Sequence, residues 1–149
     1  MYKRKRNEIN RMDLVMPAIS ENEGKARALV AAFCAELDPT AADLTDIKCA
    51  VSEAVTNCIV HAYRVKKGKI YISVRLFADK TVVIGVRDRG CGIADVKRAR
   101  EPLFTTDAAN ERSGMGFTVM ENFMDGLRVH SRVGKGTVVY LTKRIGARA

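Results

Sequence analysis

Three short stretches of polar residues and glycine constrain this chain more than any other part of its sequence. In chain order they are Glu53–Asn57, Asp88–Gly92 and Gly114–Gly116. The first lies on a predicted long helix, the second follows a predicted strand, and the third opens a predicted short helix. We therefore expect a fold in which a helix face, a strand end and a helix start act together.

The periodicity of the apolar residues predicts an α/β two-layer sandwich. Its helices lie on one face of a mixed, mostly antiparallel sheet. Glu23 follows Ser20 by three residues, which predicts a capping box at the start of the first helix. Residues 89–113 form a long loop broken by Pro102, and Asp79-Lys80 forms a hairpin turn. The predicted elements are a strand over Ile9–Met16, helices from Ser20 to about Leu37 and over Asp43–Tyr63, strands over Ile70–Leu76 and Val82–Val86, a helix over Gly116–Met124, and strands over Leu127–Val133 and Thr137–Leu141.

Length and composition indicate one domain. A chain of 149 residues can bury a core without disulfides or metal. We expect a basic tail over residues 1–8, one domain over residues 9–145 with a lid at about 94–113, and a short tail over residues 146–149. No apolar run approaches the roughly 18–20 residues of a membrane span, so no membrane association is expected.

The four cysteines form no CxxC pair and no pattern of metal ligands, which favours a protein located in the reducing cytoplasm. The net charge of +9 is concentrated toward the two ends of the chain. A basic helix with interleaved aromatic residues, typical of nucleic-acid binding, is absent from the sequence. Direct nucleic-acid binding is therefore not expected.

Glu53 and Asn57 lie one helical turn apart on the same face of the second predicted helix. An amide oxygen and a carboxylate so placed can share a hydrated Mg²⁺, which prefers a few hard oxygen ligands and keeps waters that phosphates replace. Asn57 suits direct metal ligation, and Glu53 suits a general base. The alternative is a solvated polar stripe on an amphipathic helix.

Asp88 ends a predicted strand at a glycine turn. Its carboxylate accepts hydrogen bonds, and the exocyclic N6 amine of adenine donates them. Gly90 and Gly92 would let the backbone approach the base closely. The alternative is an ordinary turn at the end of a strand.

Gly114-Met115-Gly116 precedes a helix, where backbone N–H groups and the helix dipole favour a phosphate. Arg112 offers a planar fork for phosphate oxygens, and Ser113 lies beside it. Thr105 and Thr106 supply hydroxyl groups from the same loop, so the loop could close over a nucleotide as a lid. A flexible hinge is the alternative for the glycine pair.

These residues resemble the Asn box and the two Gly boxes of the superfamily of DNA gyrase, histidine kinases and mismatch-repair ATPases. Within it, the chain is most similar to the anti-sigma F factors, serine kinases of spore-forming bacteria. The resemblance runs from about Met12 to Leu141, and its most specific parts are Val51–Asn57, Glu101–Thr106 and Glu111–Asp125.

The resemblance implies a left-handed ATP-binding sandwich that uses ATP or ADP with Mg²⁺. It also implies a homodimer with two partners: a sporulation sigma factor, and an anti-anti-sigma protein phosphorylated on serine. By resemblance Asn57 ligates Mg²⁺, Glu53 activates the serine, Asp88 reads adenine with help from Thr137, and Arg112 meets the γ-phosphate. Glu23 and Arg27 are candidate partner contacts by the same resemblance.

Three alternatives remain open from the sequence. A non-enzymatic nucleic-acid binder led by the basic tail would bind with a steep salt dependence and no requirement for ATP, and it would leave the three motifs unexplained. A detached ATPase module of a histidine kinase would need a phosphoacceptor histidine on a helix hairpin, and the chain offers only His61 and His130. A general-stress anti-sigma kinase would share most of the motifs, although residues 114–125 favour the sporulation type.

Overall fold

The structure is a computed structural model that describes residues 7–64, 67–101 and 115–146. Five strands and four α-helices occupy these ranges. They are β1 (Glu8–Pro17), α1 (Glu21–Cys34), α2 (Ala41–Asn57), β2 (Lys69–Phe77), β3 (Thr81–Asp88), α3 (Val96–Ala99), α4 (Gly116–Phe123), β4 (Gly126–Arg132) and β5 (Gly136–Arg144).

The strands form one sheet in the order β1-β2-β3-β5-β4, and every pairing among them is antiparallel. The predicted two-layer architecture is confirmed, and the sheet proves antiparallel rather than mixed over the described residues. β5 inserts between β3 and β4, so Asp88 at the end of β3 lies opposite Thr137 near the start of β5. Two predicted site residues that lie far apart in sequence thus become neighbours.

The core lies between one face of the sheet and the helices α1, α2 and α4. Alternate residues of β2, such as Ile72 and Val74, are buried on this face, as are Ile84 and Leu141. They pack against α2 residues represented by Ile47. This alternation is what a strand with one buried face requires. The opposite face of the sheet, called the open face below, carries no helix within the described part of the chain.

The capping box predicted at Ser20 and Glu23 is wrong. Ser20 has helical dihedral angles and makes no side-chain cap bond, because the N–H of Glu23 already donates to the backbone oxygen of Ser20 at 3.2 Å. A capping box occurs instead at the start of α2, where Thr40 and Asp43 satisfy each other's N–H groups.

The helix predicted to continue to Tyr63 changes character at Asn57. α2 ends at that residue, and Cys58–Ala62 form a single π-helical turn. Such turns are frequent at functional sites because they alter the direction of the side chains that follow. Within the region predicted as a lid, the described residues include the one-turn helix α3, which the sequence did not predict. No helix in the described ranges is long and apolar enough to cross a membrane.

Candidate functional site

A cavity of about 430 Å³ opens between the helix layer and the end of β3. Residues from α2, the π-helical turn, β3, β5, α3 and α4 line it. Its volume falls within the range of small-molecule and cofactor sites. All three of the sequence stretches singled out above contribute to its wall, through Asn57, Asp88, Gly92 and Gly116.

Glu53 and Asn57 meet the start of α4 beside this cavity, which Asn57 and Gly116 line. A Cβ built on Gly116 would lie 3.4 Å from Asn57 Oδ1 and 3.4 Å from Glu53 Oε2. The absence of a side chain at residue 116 therefore leaves space directly over an amide oxygen and a carboxylate oxygen. The structure thus brings the first and third stretches together on one spot.

Asp88 also lines the cavity and is only 6% exposed. Its Oδ1 accepts hydrogen bonds from the N–H groups of Gly90 at 2.9 Å and Thr137 at 3.2 Å. Its Oδ2 is 3.7 Å from the thiol of Cys58. Burial raises the pKa of the Asp88 carboxyl, while the N–H groups of Gly90 and Thr137 and the Cys58 thiol oppose that rise. A buried acceptor held this firmly suits recognition of a specific donor in a ligand.

Gly90 allows the Asp88 turn to pack on the π-helical turn. A Cβ at Gly90 would lie 2.2 Å from the backbone oxygen of Ala62, closer than any side chain can approach. The neighbouring N–H of Cys91 donates to the same oxygen at 2.8 Å. Gly90 therefore permits a close approach of the backbone to the protein itself, and its predicted approach to a base stays a prediction. Gly92 has a φ of +76° and lines the cavity.

Three residues that the sequence did not single out hold the Asp88 end in place. The hydroxyl of Tyr63 accepts the N–H of Arg89 at 2.7 Å and donates to Lys69 at 2.6 Å. Ser131 Oγ accepts the N–H of Ile93 at 2.7 Å and lies 2.7 Å from Thr137 Oγ1. The third is Cys58, which contacts Asp88 from the π-helical turn. No local pattern in the sequence could reveal them, because each acts across elements that are distant along the chain.

The donor set near Gly116 fits Mg²⁺. Among the described residues, no group of three His, Cys, Asp or Glu side chains could hold a metal by itself. Asn57 and Glu53 offer hard oxygen atoms only, and Mg²⁺ commonly takes one or two protein oxygens and completes its shell with water and substrate phosphates. A metal ion here would depend on the nucleotide for its remaining ligands.

Several predicted site residues lie outside the described ranges. They are Thr105, Thr106, Arg112, Ser113 and Gly114. Met115 is described and precedes α4, where its backbone oxygen accepts the N–H of Val119 at 2.8 Å.

The predicted partner contacts lie on α1, outside the cavity. Arg27 donates to Glu23 at 3.3 Å and to Ser52 Oγ at 3.2 Å, which links α1 to α2 beside Glu53. Arg27 belongs to the exposed part of α1. The described geometry therefore places these two residues together on a surface and not among the ligand-facing groups.

The profile of the family described as "Histidine kinase-like ATPase domain" matches residues 16–143. An anti-sigma F factor of Caldanaerobacter subterraneus is 56% identical over 138 residues, covering 92% of this chain and 95% of the relative. The anti-sigma F factor of Geobacillus thermodenitrificans is 57% identical and that of Bacillus subtilis 53%, each over 137 residues, covering 91% of this chain and 93% of the relative.

Solved structures show the same fold. The RsbU and RsbW domains of Rv1364c from Mycobacterium tuberculosis match with a TM-score of 0.69 and 24% identity, covering 95% of this chain and 34% of that one. A histidine kinase domain from Erythrobacter litoralis matches with a TM-score of 0.55 and 19% identity, covering 83% of this chain and 61% of that one.

The two-layer fold, the cavity and the profile together define a histidine kinase-like ATPase domain. Within that class, the identity of more than half over nearly the whole length places the chain in the anti-sigma F factor family.

Proposed function

We propose that this chain is an ATP-dependent anti-sigma factor that also phosphorylates a serine of an anti-anti-sigma protein. The observation that carries the proposal is the convergence of Glu53, Asn57 and Gly116 beside a cavity that the buried acceptor Asp88 also lines. That arrangement would hold the base of ATP on Asp88 and its phosphates beside Gly116.

The adenine end depends on the ionised form of Asp88. Gly90 and Thr137 donate to Oδ1, so a lone pair of Oδ2 is available to the N6 amine. Guanine presents a carbonyl oxygen at that position and would be disfavoured, because two acceptors would face each other without a proton between them. The site should therefore prefer ATP and ADP to guanine nucleotides.

The phosphate end carries the reaction. A serine oxygen attacks the γ-phosphorus, the bond from that phosphorus to the β–γ bridging oxygen breaks, and ADP leaves. Glu53 takes the serine proton as the new O–P bond forms. A Mg²⁺ ion held by Asn57 would neutralise charge on the phosphates. Arg112, which lies outside the described residues, is proposed to meet the γ-phosphate, and the glycine pair with Thr105, Thr106 and Ser113 to complete the phosphate contacts.

The partners proposed are a sporulation sigma factor and an anti-anti-sigma protein, with a homodimer as the working unit in the cytoplasm. The family name of the relatives supports the sigma factor. Glu23 and Arg27 are the proposed partner contacts, because they form an exposed ion pair on α1 next to the helix that carries Glu53.

The test uses the purified chain, γ-labelled ATP, Mg²⁺ and a purified anti-anti-sigma protein from a spore former. Glu53→Gln should lower phosphotransfer by about 100-fold or more, since general-base catalysis contributes that much, while binding of the sigma factor persists. Glu36→Gln is the matched control, because that carboxylate is exposed, accepts a hydrogen bond from Asn10 at 2.8 Å and does not line the cavity. Asn57→Ala should abolish labelling.

Acid-stable label on the substrate protein, lost in the Glu53 and Asn57 variants only, would support the serine kinase. Acid-labile label would indicate phosphohistidine and contradict it. Near-normal transfer by Glu53→Gln would show that the base is another group.

A further inference from the structure

The open face of the sheet carries a dense group of basic side chains near the end where β3 stops. Antiparallel register places Tyr71, Arg87, Val138 and His130 side by side in one row across four strands. Directly opposed residues of an antiparallel pair point to the same face. This row therefore presents aromatic and basic side chains together on the open face.

The neighbouring positions extend the same character. Arg128 pairs with Tyr140 and Arg132 pairs with Gly136, so both arginines lie on the open face beside the first row. Arg89 belongs to the group as well, because its guanidinium lies 4.8 Å from the centre of the Tyr71 ring. We call this group the basic face; it comprises Arg87, Arg89, Arg128, His130 and Arg132, all of which are exposed.

Acidic side chains do not balance the basic face. In β2, β3, β4 and β5 the one acidic residue is Asp88, which is buried and lines the cavity on the other side of the sheet. On β1, Glu8 and Asp13 are already paired with Arg75 and Arg11. Within the described ranges, no carboxylate lies at ion-pair distance from Arg87, Arg128 or Arg132. The charges of these arginines are thus left for a partner.

Aromatic rings lie among the cations. Tyr71 stacks under Arg89, and the rings of His130 and Tyr140 meet edge to face with centroids 6.0 Å apart. Same-face neighbours along a strand are roughly 7 Å apart and adjacent strands about 4.8 Å apart. The result is a platform on the open face in which aromatic rings and guanidinium groups lie side by side.

We propose that the basic face binds a single-stranded nucleic acid. Sheets bind single strands in this way: bases stack on aromatic rings and guanidinium planes while phosphates meet arginines. A polyanion gains further free energy by releasing counterions, whereas an exposed carboxylate of a protein partner gains little from each pair. A second copy of the chain docked through the same face would bring like charges together.

This inference does not rest on the proposed kinase activity, because the basic face and the nucleotide cavity lie on opposite sides of the sheet. The residues also explain why the sequence did not predict it. Arg87 and Arg89 precede Arg128 and Arg132 by about forty residues, and none of the four belongs to a basic helix. Only the pairing of β3 with β5 and of β5 with β4 gathers them.

The test measures fluorescence anisotropy of labelled oligothymidylate and oligouridylate, each longer than the roughly 16 nucleotides that such a platform can occupy. With four arginines meeting phosphates, log K should fall with log salt at a slope of about −3. The double variant Arg128→Glu/Arg132→Glu should weaken binding by about tenfold or more, since it removes two phosphate contacts and adds two repulsions. Comparison of the two oligonucleotides distinguishes DNA from RNA.

The matched control is Lys25→Glu/Lys48→Glu, which changes the net charge equally at exposed positions on α1 and α2. It should weaken binding by no more than about twofold at the same salt. All four substitutions are at exposed positions, and thermal unfolding checks that both variants fold. Both keep the basic tail over residues 1–6, so the tail contributes equally to each.

Equal weakening in the two double variants would overturn the proposal, because the effect would then follow net charge alone. The proposal would also be overturned if deletion of residues 1–6 abolished binding while Arg128→Glu/Arg132→Glu left it unchanged. Binding of the basic face to anionic vesicles or to an acidic protein but not to either oligonucleotide would assign it to a different partner. A change of oligomeric state in Arg128→Glu/Arg132→Glu, with oligonucleotide binding intact, would assign it to a second copy.

Discussion

Gly116, at the start of α4, lies directly against the carboxamide of Asn57 on α2. A Cβ at residue 116 would be 3.4 Å from Asn57 Oδ1, and the Glu53 carboxylate lies at the same distance. The contact is tight without being a severe clash. A side chain at residue 116 would therefore fill space beside the two groups that we propose to face the phosphates and the metal ion.

Gly116→Ala should therefore damage catalysis more than folding. A methyl group would contact the Asn57 amide and the Glu53 carboxylate and fill the space beside them, so we expect phosphotransfer to fall by about tenfold or more. The melting temperature should remain near that of the parent chain, since alanine is favoured over glycine at helical positions. Steady-state transfer rates and thermal unfolding measure the two effects. Gly126→Ala, whose Cβ would meet Thr142 at an ordinary 3.6 Å, is the control; equal rates for both variants would contradict the assignment.

Asp88→Asn should weaken nucleotide binding without lowering the stability of the folded chain at neutral pH. The variant keeps an oxygen for the N–H groups of Gly90 and Thr137 but removes the charge that burial makes unfavourable. Because burial raises the pKa of Asp88 in the folded chain, the folded state binds its proton more tightly than the unfolded state. The contribution of Asp88 to the stability of the parent chain is therefore greatest below the ordinary pKa of 3.8 and is lost as the pH rises through the raised value.

At neutral pH the nucleotide-free variant should be at least as stable as the parent, and its advantage should vanish in acid. ATP affinity should fall by about 1.5–3 kcal/mol, which is typical for loss of a hydrogen bond to a charged acceptor. Denaturant unfolding across pH and calorimetric titration with ATP measure both. Unchanged ATP affinity would show that Asp88 does not read the base. A difference in stability between the variant and the parent chain that grows as the pH falls would contradict the predicted direction of the pH dependence.

Alanine substitutions at Gly136 and Gly134 distinguish the cost of a steric clash from the cost of backbone strain. Both have positive φ, at +118° and +77°. A Cβ at Gly136 would lie 2.2 Å from the backbone oxygen of Asp88, whereas nothing lies within 4 Å of one at Gly134. Gly134→Ala should cost about 1 kcal/mol of unfolding free energy from strain alone. Gly136→Ala should cost at least about 2 kcal/mol more and weaken ATP binding, because Asp88 must move.

Urea titrations of the two glycine variants, with and without ATP, supply the comparison. Similar losses of stability at residues 134 and 136 would mean that the contact with Asp88 is easily relaxed. The close packing at the adenine end would then contribute little to its geometry.

Thr40→Ala and Ser20→Ala test which helix start is capped by a side chain. Thr40 Oγ1 accepts the N–H of Asp43 at 3.0 Å, so its loss should lower the unfolding free energy by about 1 kcal/mol. Ser20 makes no such bond, and its replacement should change stability by less than about 0.5 kcal/mol. Chemical denaturation of both variants gives the difference, and a larger loss at Ser20 would contradict the observed caps.

Much of the fold follows from periodicity. The alternation in β2 and β3 and the helical stripe of α2 are strong local signals, because each element has one buried face. The capping box was predicted at Ser20 and found at Thr40, since the local spacing cannot show that the Ser20 backbone has already entered a helical turn. The one-turn helix α3 was not predicted, because four residues are too few to produce a periodic signal.

The candidate site could likewise be predicted only in part from the sequence. Glu53 and Asn57 lie within one helix, and their shared face follows from 3.6 residues per turn. Tyr63, Ser131 and Cys58 hold the Asp88 end from other elements, and nothing near them in the sequence indicates that contact. The basic face is likewise formed from strands that register alone brings together.

The sequence by itself determined most of the elements, the family resemblance and the chemical character of the groups, because these depend on residue type and on spacing within one segment. The tertiary structure decided which groups meet: Gly116 with Asn57, and Asp88 with Thr137. It also placed Arg87 on the same face of the sheet as the arginines of β4. Those meetings depend on β5 inserting between β3 and β4 and on α4 packing against α2. Such long-range pairings follow from burial of the whole core, which no local window of sequence contains.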